Sequence, residues 1–236
     1  MHKIISLEKI LQKQGFGSRK LCRIIINNGE VTVNDVVCDN PDEMIDTNHL
    51  RFSVRGENWE YHETSYLMMN KPANYECSRK TIHHPTIYSL LPYPIVQRGV
   101  QCIGRLDEDT TGLILLSDDG QFIHKMSSPK HNVPKVYEVV CKHDIDHSQI
   151  SKLLNGVQLM DEPLPIAALA CESISPNTIH LTLSEGKYHQ VKRMIAAVSN
   201  RVVSLNRIKI GDLDLPIDLP QGKWRWLSDS DLSKLI

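Results

Sequence analysis

The chain is 236 residues long, 41% hydrophobic and 23% charged, a composition that suits one large or two smaller globular domains and leaves ample apolar material for a core. Its six cysteines, Cys22, Cys38, Cys77, Cys102, Cys141 and Cys171, are scattered and form no CxxC pair, which excludes a disulfide scaffold or zinc cluster and reads as buried thiols in a reducing compartment. No cationic start leads into an apolar core, and no apolar run approaches the roughly 18 residues of a membrane span, so a cytoplasmic protein without a membrane partner is expected.

The formal net charge of -1 argues by itself against a nucleic-acid partner, but the distribution argues the other way. Residues 1–23 hold Lys3, Lys9, Lys13, Arg19, Lys20 and Arg23 against Glu8, and residues 185–209 hold Lys187, Lys192, Arg193, Arg201, Arg207 and Lys209 against Glu185. A single charge run is usually a solvated face. Two such runs in a neutral chain point to phosphate contacts.

In chain order, Leu7, Ile10 and Leu11 follow helical spacing up to Gln14, and Gly15 supplies a stop. Ser18 is placed to cap a second helix from Arg19 to Asn28, with Leu21, Ile24 and Ile25 on one face and Gly29 at its end. Val31 and Val33 then alternate as a strand, Asn34-Asp35 turns, and Val36-Val37 returns. Two helices and a hairpin make a basic docking unit over 1–57, close to the lower size limit of roughly 60 residues for independent folding. The polar, aperiodic stretch around 58–64 reads as a linker, leaving 65–236 as a larger domain. There, strands are expected at Tyr66–Met69, Leu113–Leu116 closed by an Asp118-Asp119-Gly120 turn, Val136–Cys141, Thr178–Leu183 and Arg201–Ile210, with a helix at His189–Val198. Strands outnumber helices without regular alternation, so the fold class is α+β on a mostly antiparallel or mixed sheet.

The densest chemistry lies in Gly104-Arg105-Leu106-Asp107-Glu108-Asp109-Thr110-Thr111-Gly112, a polar loop running into an apolar strand. Such a loop presents a carboxylate from a rigid base, with Arg105 available to brace it or to hold a phosphate and the two threonines able to bond a tight bend. Residue types alone favour an acidic turn with a local ion pair. The run GRLDEDTTGLILLSDDG closely resembles the signature loop of the RsuA/RluA group of pseudouridine synthases. Met69-Asn70-Lys71-Pro72, Ser128-Pro129-Lys130 through Lys135-Val136-Tyr137, and Ser184 to Met194 (SEGKYHQVKRM) resemble three further motifs of that group, in the same order. GFGSRKLCRIIINNGEVTVND resembles the S4 RNA-binding domain, and its pairing with EGKYHQVKRMIAAVSN is most similar to the small-subunit 16S rRNA members, the RsuA type.

The resemblance implies an isomerase that turns a uridine of structured RNA into pseudouridine with neither cofactor nor metal, on 16S rRNA, the alternatives being the same chemistry on 23S rRNA and a non-catalytic RNA-binding assembly factor. An assembly particle is the expected form of the substrate, though the sequence does not separate it from free rRNA, and a monomer is expected because no heptad calls for a dimer. The resemblance makes Asp107 the nucleophile, Tyr137 the ring stacked on a flipped base, and Lys192 the cation paired with Asp107. Lys192, Arg193 and His189 share a helix face at spacings of three and four, and RNA contacts are expected from Arg105, Lys71, Arg193, His189, Arg19, Lys20 and Arg23. The carboxylate can add to C6 of the base, add to C1′ of the ribose, or take the C2′ proton, and the sequence does not separate these routes. One departure is Ala73-Asn74 where the group carries a glycine after the Lys-Pro motif; asparagine tolerates left-handed backbone, so the turn is expected to persist. His83-His84 lacks companions at ligand spacing, and no metal is assigned. Trp224 and Trp226 alternate as packing residues of a last strand.

Overall fold

A computed structural model describes residues 3–128 and 131–235, so Pro129 and Lys130 of the fourth motif lie outside the described residues. The chain divides into two compact units: residues 1–65 with 91–100, and residues 66–90 with 101–236.

The first unit opens with β1 (Ile4–Ser6), α1 (Leu7–Lys13) and α2 (Arg19–Asn27). The Ser18 hydroxyl accepts from Leu21 N–H at 3.3 Å, as its capping position requires. Strands β2 (Val31–Val33), β3 (Val36–Val37), β4 (Met44–Asp46), β5 (Arg51–Val54) and β6 (Glu57–Glu60) follow. They form an antiparallel sheet ordered β3-β2-β5-β6 and a β1-β4 pair. The β2-β3 turn has positive φ at both Asn34 and Asp35, the geometry that closes a two-residue hairpin. Leu7, Ile10, Leu11, Ile25, Ile26, Val31 and Phe52 build the core, with Phe16 edge-on to Phe52 and Trp59. Part of the stretch expected as a linker is therefore strand β6, because Trp59 gives an otherwise polar segment one apolar face to pack. Leu91–Val100 also joins this unit: it carries α3 (Tyr93–Gln97), and Arg98 donates to Gln14 Oε1 at 3.0 Å and the His62 carbonyl at 2.8 Å. Gly15 has φ +87°, and a Cβ there would stand 2.0 Å from the Pro94 oxygen, so only glycine fits.

The second unit is built on one mixed sheet. Its strands are β7 (Tyr66–Lys71), β8 (Gln101–Ile103), β9 (Thr111–Ser117), β10 (Lys135–Cys141), β11 (Ala170–Ser175), β12 (Thr178–Leu183), β13 (Val202–Ile210), β14 (Leu213–Asp214) and β15 (Trp224–Trp226). The order is β11-β12-β10-β13-β9-β7-β15, with β14 on β13 and β8 on β9. Only the β13-β9 pairing among these is parallel, which is the α+β mixed sheet expected. Helices α4 (Gly120–Ser127), α5 (His147–Asn155), α6 (Gln190–Ala197) and α7 (Asp229–Ser233) complete the unit. Strand β9 is buried on both faces; Leu113 and Leu115 pack with Met68, Phe122 and Met126. Asp119-Gly120, expected as a turn, instead starts α4, because the Asp119 carboxylate accepts from Gln121 and Phe122 N–H and so caps a helix. Trp224 and Trp226 lie on β15 with their rings edge-to-face 6.2 Å apart.

Two details of this sheet set the positions of the polar residues below. Between Val136 and Tyr137 the β10-β13 register shifts, so that Val136 faces Lys209 and Tyr137 faces Arg207. At the start of β9, Gly112 (φ +104°) lies against β13 so tightly that a Cβ would come within 2.3 Å of the Arg207 carbonyl oxygen and 2.7 Å of its nitrogen. Gly112→Ala is therefore expected to destabilise the protein by about 3 kcal/mol or more, since backbone has to move and the left-handed conformation disfavours a side chain. Thermal unfolding checks this; a melting point within about 2 °C of wild type would contradict it.

Candidate active site

Residues 104–110 link β8 to β9, and backbone contacts rather than helix or sheet hold them. Leu106 is buried and donates its N–H to Cys77 Sγ at 3.5 Å, and Thr110 N–H closes a turn onto the Asp107 carbonyl at 3.1 Å. Beneath them Lys71 is wholly inaccessible to solvent, its ammonium donating to the carbonyls of Pro72 and Glu108 at 3.0 Å and of Thr110 at 2.8 Å. Burial holds the Lys71 amine below the usual lysine range, against the opposing influence of nearby acidic groups including Asp109 and Asp107. The expectation that Lys71 meets RNA is thus corrected: its donors are spent on the loop. Asn74 takes φ +64° and donates to the Glu108 carbonyl at 2.8 Å, so the turn persists without the glycine. Of the threonines, Thr111 bonds Asn206 Oδ1 at 3.1 Å, whereas the Thr110 hydroxyl is buried without a partner among the described residues.

The loop delivers Asp107 to an open cleft of about 440 Å³, with Tyr137, Leu183, Val191 and Leu205 among its lining. The Asp107 side chain is 32% exposed; Oδ1 lies 3.5 Å from His189 Nε2 and Oδ2 lies 3.3 Å from Lys192 Nζ. Lys192 sits closer still to Asp109, at 2.7 and 2.9 Å from its two oxygens. Burial pulls the Lys192 amine down, but the Asp109 and Asp107 carboxylates outweigh it and hold it above the usual lysine range. It is a fixed positive charge at neutral pH. Asp109 is held below the usual carboxylate range, with burial opposing the effect of the Lys192 bond and charge. Tyr137 is 8% exposed and presents its ring to the same cleft from β10. The expected Asp107, Tyr137 and Lys192 are therefore brought together.

The other expected contacts divide. His189 is not on the helix: it precedes α6 in the left-handed conformation (φ 46°), its ring stacked 3.9 Å from Tyr188, and it faces Asp107 while staying partly exposed. Arg193, whose sequence position fits either an RNA phosphate contact or a loop brace, donates to the carbonyls of Met160 and Tyr188, as a brace does. Arg105 is exposed and lines the cleft. On the first unit Lys20 is exposed, but Arg23 is held by Glu8 at 2.7 Å and Asp42 at 3.0 Å, and Arg19, itself well exposed, by Glu8 at 2.9 Å. Sequence reasoning missed Glu162, which takes Lys187 at 2.5 Å, and Gln190, which accepts from Lys187 N–H at 2.9 Å; both fix the 185–189 turn. Gln190 stood inside a recognised motif, whereas Glu162 lies in a loop with no periodic signal. Among the described residues no cluster of histidine, cysteine and carboxylate side chains has metal-binding geometry, and no helix is long and apolar enough to cross a membrane.

Comparison with known proteins bears on this cleft directly. Residues 65–197 match the RNA pseudouridylate synthase family and residues 6–50 match the S4 domain. Ribosomal small subunit pseudouridine synthase A of Yersinia pestis is 42% identical over 170 residues, 72% of each chain. The protein of that name from Escherichia coli (strain K12) is 36% identical over 230 residues, 98% of this chain and 99% of its own. An uncharacterized RNA pseudouridine synthase of Bacillus subtilis (strain 168) is 38% identical over 232 residues, 97% of each. A crystal structure of a pseudouridylate synthase aligns with a TM-score of 0.70 at 35% identity, covering 98% of this chain and 100% of that one. With a family match across more than half its length and relatives aligned nearly end to end, the chain belongs to the RNA pseudouridylate synthase family and is an RNA-binding isomerase.

Proposed function

We propose that this enzyme isomerises one uridine of small-subunit 16S rRNA, in the cytoplasm, as a monomer acting on a partly assembled ribosomal particle. The observation that carries the chemistry is the Asp107 carboxylate, open to a cleft that also receives the Tyr137 ring. The small-subunit target is supported by the names of the relatives in Yersinia pestis and Escherichia coli, both ribosomal small subunit pseudouridine synthase A.

The reaction breaks the bond between N1 of uracil and C1′ of ribose, turns the base, and joins C5 to C1′; C5 gives up a proton and N1 gains one, so nothing is oxidised, reduced or hydrolysed. That balance asks for neither redox cofactor nor metal. It asks for a group that holds the ribose or base while the bond is open, and a carboxylate does so by adding to C6, by adding to C1′, or by taking the C2′ proton. The target base leaves its stack to reach Asp107, and Tyr137 offers a flat apolar face to receive it. Lys192 fixes the direction of the carboxylate and offsets negative charge near it while water is displaced. His189, at 3.5 Å, is the second neighbour.

Carbodiimide primer-extension mapping of 16S and 23S rRNA, naked and in assembly particles, tests the reading. A single new stop in 16S rRNA with wild type, lost with Asp107→Asn by roughly 10⁴-fold in rate, is expected. A stop only in 23S rRNA would move the target to the large subunit, and no stop in either RNA would refute the reading. Lys192→Ala is expected to cost on the order of 10²-fold or more in turnover while RNA affinity, measured by filter retention, stays near wild type. Full activity in that variant would remove Lys192 from the chemistry.

A further inference from the structure

Beside the Asp107 cleft lies a second hollow of about 710 Å³, and Arg105, Tyr137, Glu185 and Gly186 line both. The second is lined in addition by two cations to which the chemistry above gives no role, Lys135, which opens the Lys135-Val136-Tyr137 motif, and Arg207, from the second basic run. Arg207 is 3% exposed. Its Nε donates to the Leu113 carbonyl at 2.8 Å, but its Nη2 is sealed from solvent with no hydrogen-bond partner among the described residues. Lys135 is half-buried and, among the described residues, its ammonium has neither a carboxylate nor a carbonyl partner. The carboxylate on the lining, Glu185, is engaged by Gln190 at 3.4 Å and lies 3.8 Å from Lys187. The remaining polar lining is hydroxyl and glycine backbone: Ser127, Ser128, Ser184 and Gly104.

A buried and a half-buried cation side by side without a bonded counter-charge are unfavourable in the free protein, because each loses hydration and each repels the other. Burial, and then the Arg207 charge, hold the Lys135 amine below the usual lysine range. A neutral base edge supplies hydrogen bonds but no charge to relieve this. The anionic group that RNA carries at every nucleotide is the phosphodiester, and cations, hydroxyls and glycine amides are the groups that bind it. We propose that this second hollow is a phosphate subsite, holding a backbone phosphate of the RNA next to the flipped uridine, with Lys135 in direct contact and Arg207 adding its charge from the floor. Tyr137 separates the two hollows and is shared by them, so one strand, β10, sets the phosphate and the base against each other.

The inference rests on the enzyme acting on RNA, and its test is read by binding rather than by turnover. Affinity for a 16S rRNA transcript is titrated against KCl for wild type, Lys135→Gln, Lys135→Arg, and Lys152→Gln, an exposed α5 lysine that lines neither hollow. For Lys135→Gln the slope of log K against log salt is expected to become less negative by about 0.7–0.9, the loss of one phosphate contact, with affinity several-fold weaker. Lys135→Arg and Lys152→Gln are expected to keep the wild-type slope. A Lys135→Gln slope equal to wild type, or one changed no more than that of Lys152→Gln, would overturn the subsite, including where turnover is lost. The same preparations assayed for pseudouridine on naked 16S rRNA and on assembly particles separate the two readings: a shifted slope in a protein that forms no pseudouridine in either sinks the proposed function and leaves the subsite standing.

Discussion

The Lys71 ammonium lies sealed under the 104–110 loop and donates to three carbonyls, those of Pro72, Glu108 and Thr110. Everything the active site does depends on that arrangement, because the loop has no helix or ladder of its own. Charge-assisted bonds of this kind contribute about 1.5–3 kcal/mol each, and stripping an ammonium of water costs several kcal/mol in return, so the two nearly cancel. The result is fixed geometry at little net stability. The Glu108 and Thr110 carbonyls that follow Asp107 are tied with that of Pro72 to one point, and Leu106 just before it is held by its N–H bond to Cys77 Sγ, so the Asp107 side chain has little freedom to leave the cleft. A lysine that reads as a solvent-seeking cation is thus the least accessible large side chain near the site.

The partners of Asp107 come from a segment more than eighty residues later, and their placement has a local cost. His189 adopts a left-handed conformation that a non-glycine residue enters at about 1–2 kcal/mol. Stacking on Tyr188, the Lys187–Gln190 bond and the Arg193 brace to the Tyr188 carbonyl hold it there. The imidazole is thereby aimed at Asp107 rather than along the helix, which begins one residue later. Lys192, a turn into α6, divides its ammonium between Asp109 and Asp107. The closer carboxylate is the more exposed one, so Asp109 keeps the ammonium at the mouth of the cleft without burying a second negative charge beside Asp107.

Local signals carried the parts of the fold that obey local rules. Ser18 before an apolar helical face, Asn34-Asp35 between two valine pairs, and the alternation of Thr178–Leu183 each specify their element whatever surrounds them. Asp119-Gly120 did not, because the same dipeptide serves a hairpin turn and a helix start, and the choice rests on Phe122 and Met126 finding a core to fill. The Asp107–Lys192 pairing is likewise invisible to spacing, since no periodicity spans the gap between them; only the resemblance of whole motifs joined the two. Lys71, Arg193 and His189 were read as cations for RNA because charge is all that a sequence displays of them. What Lys71 and Arg193 touch is decided by carbonyl groups, which every residue carries and no sequence distinguishes, and His189 meets a carboxylate that lies far away in the chain.

The register shift in β10 has the same character and matters more for recognition. Directly opposed residues of antiparallel strands point to the same face, and successive residues alternate. Lys135 faces Ile210 and Val136 faces Lys209, so an unbroken ladder would set Tyr137 against Ile208 and Arg207 against Glu138, whose side chain leaves by the opposite face from Tyr137. The shift skips Ile208 and brings Arg207 opposite Tyr137 instead. Lys135, Tyr137 and Arg207 then share one face, where they line a single hollow, and Leu205, opposite Val139, continues that face into the cleft of Asp107. A β-bulge of this kind disrupts ladder pairing at one point, and apolar packing alone gives no reason for it, since Ile208 is as apolar as the valine and leucine nearby. Its effect is to turn a cation inward beside the Tyr137 ring, on the face that lines both hollows.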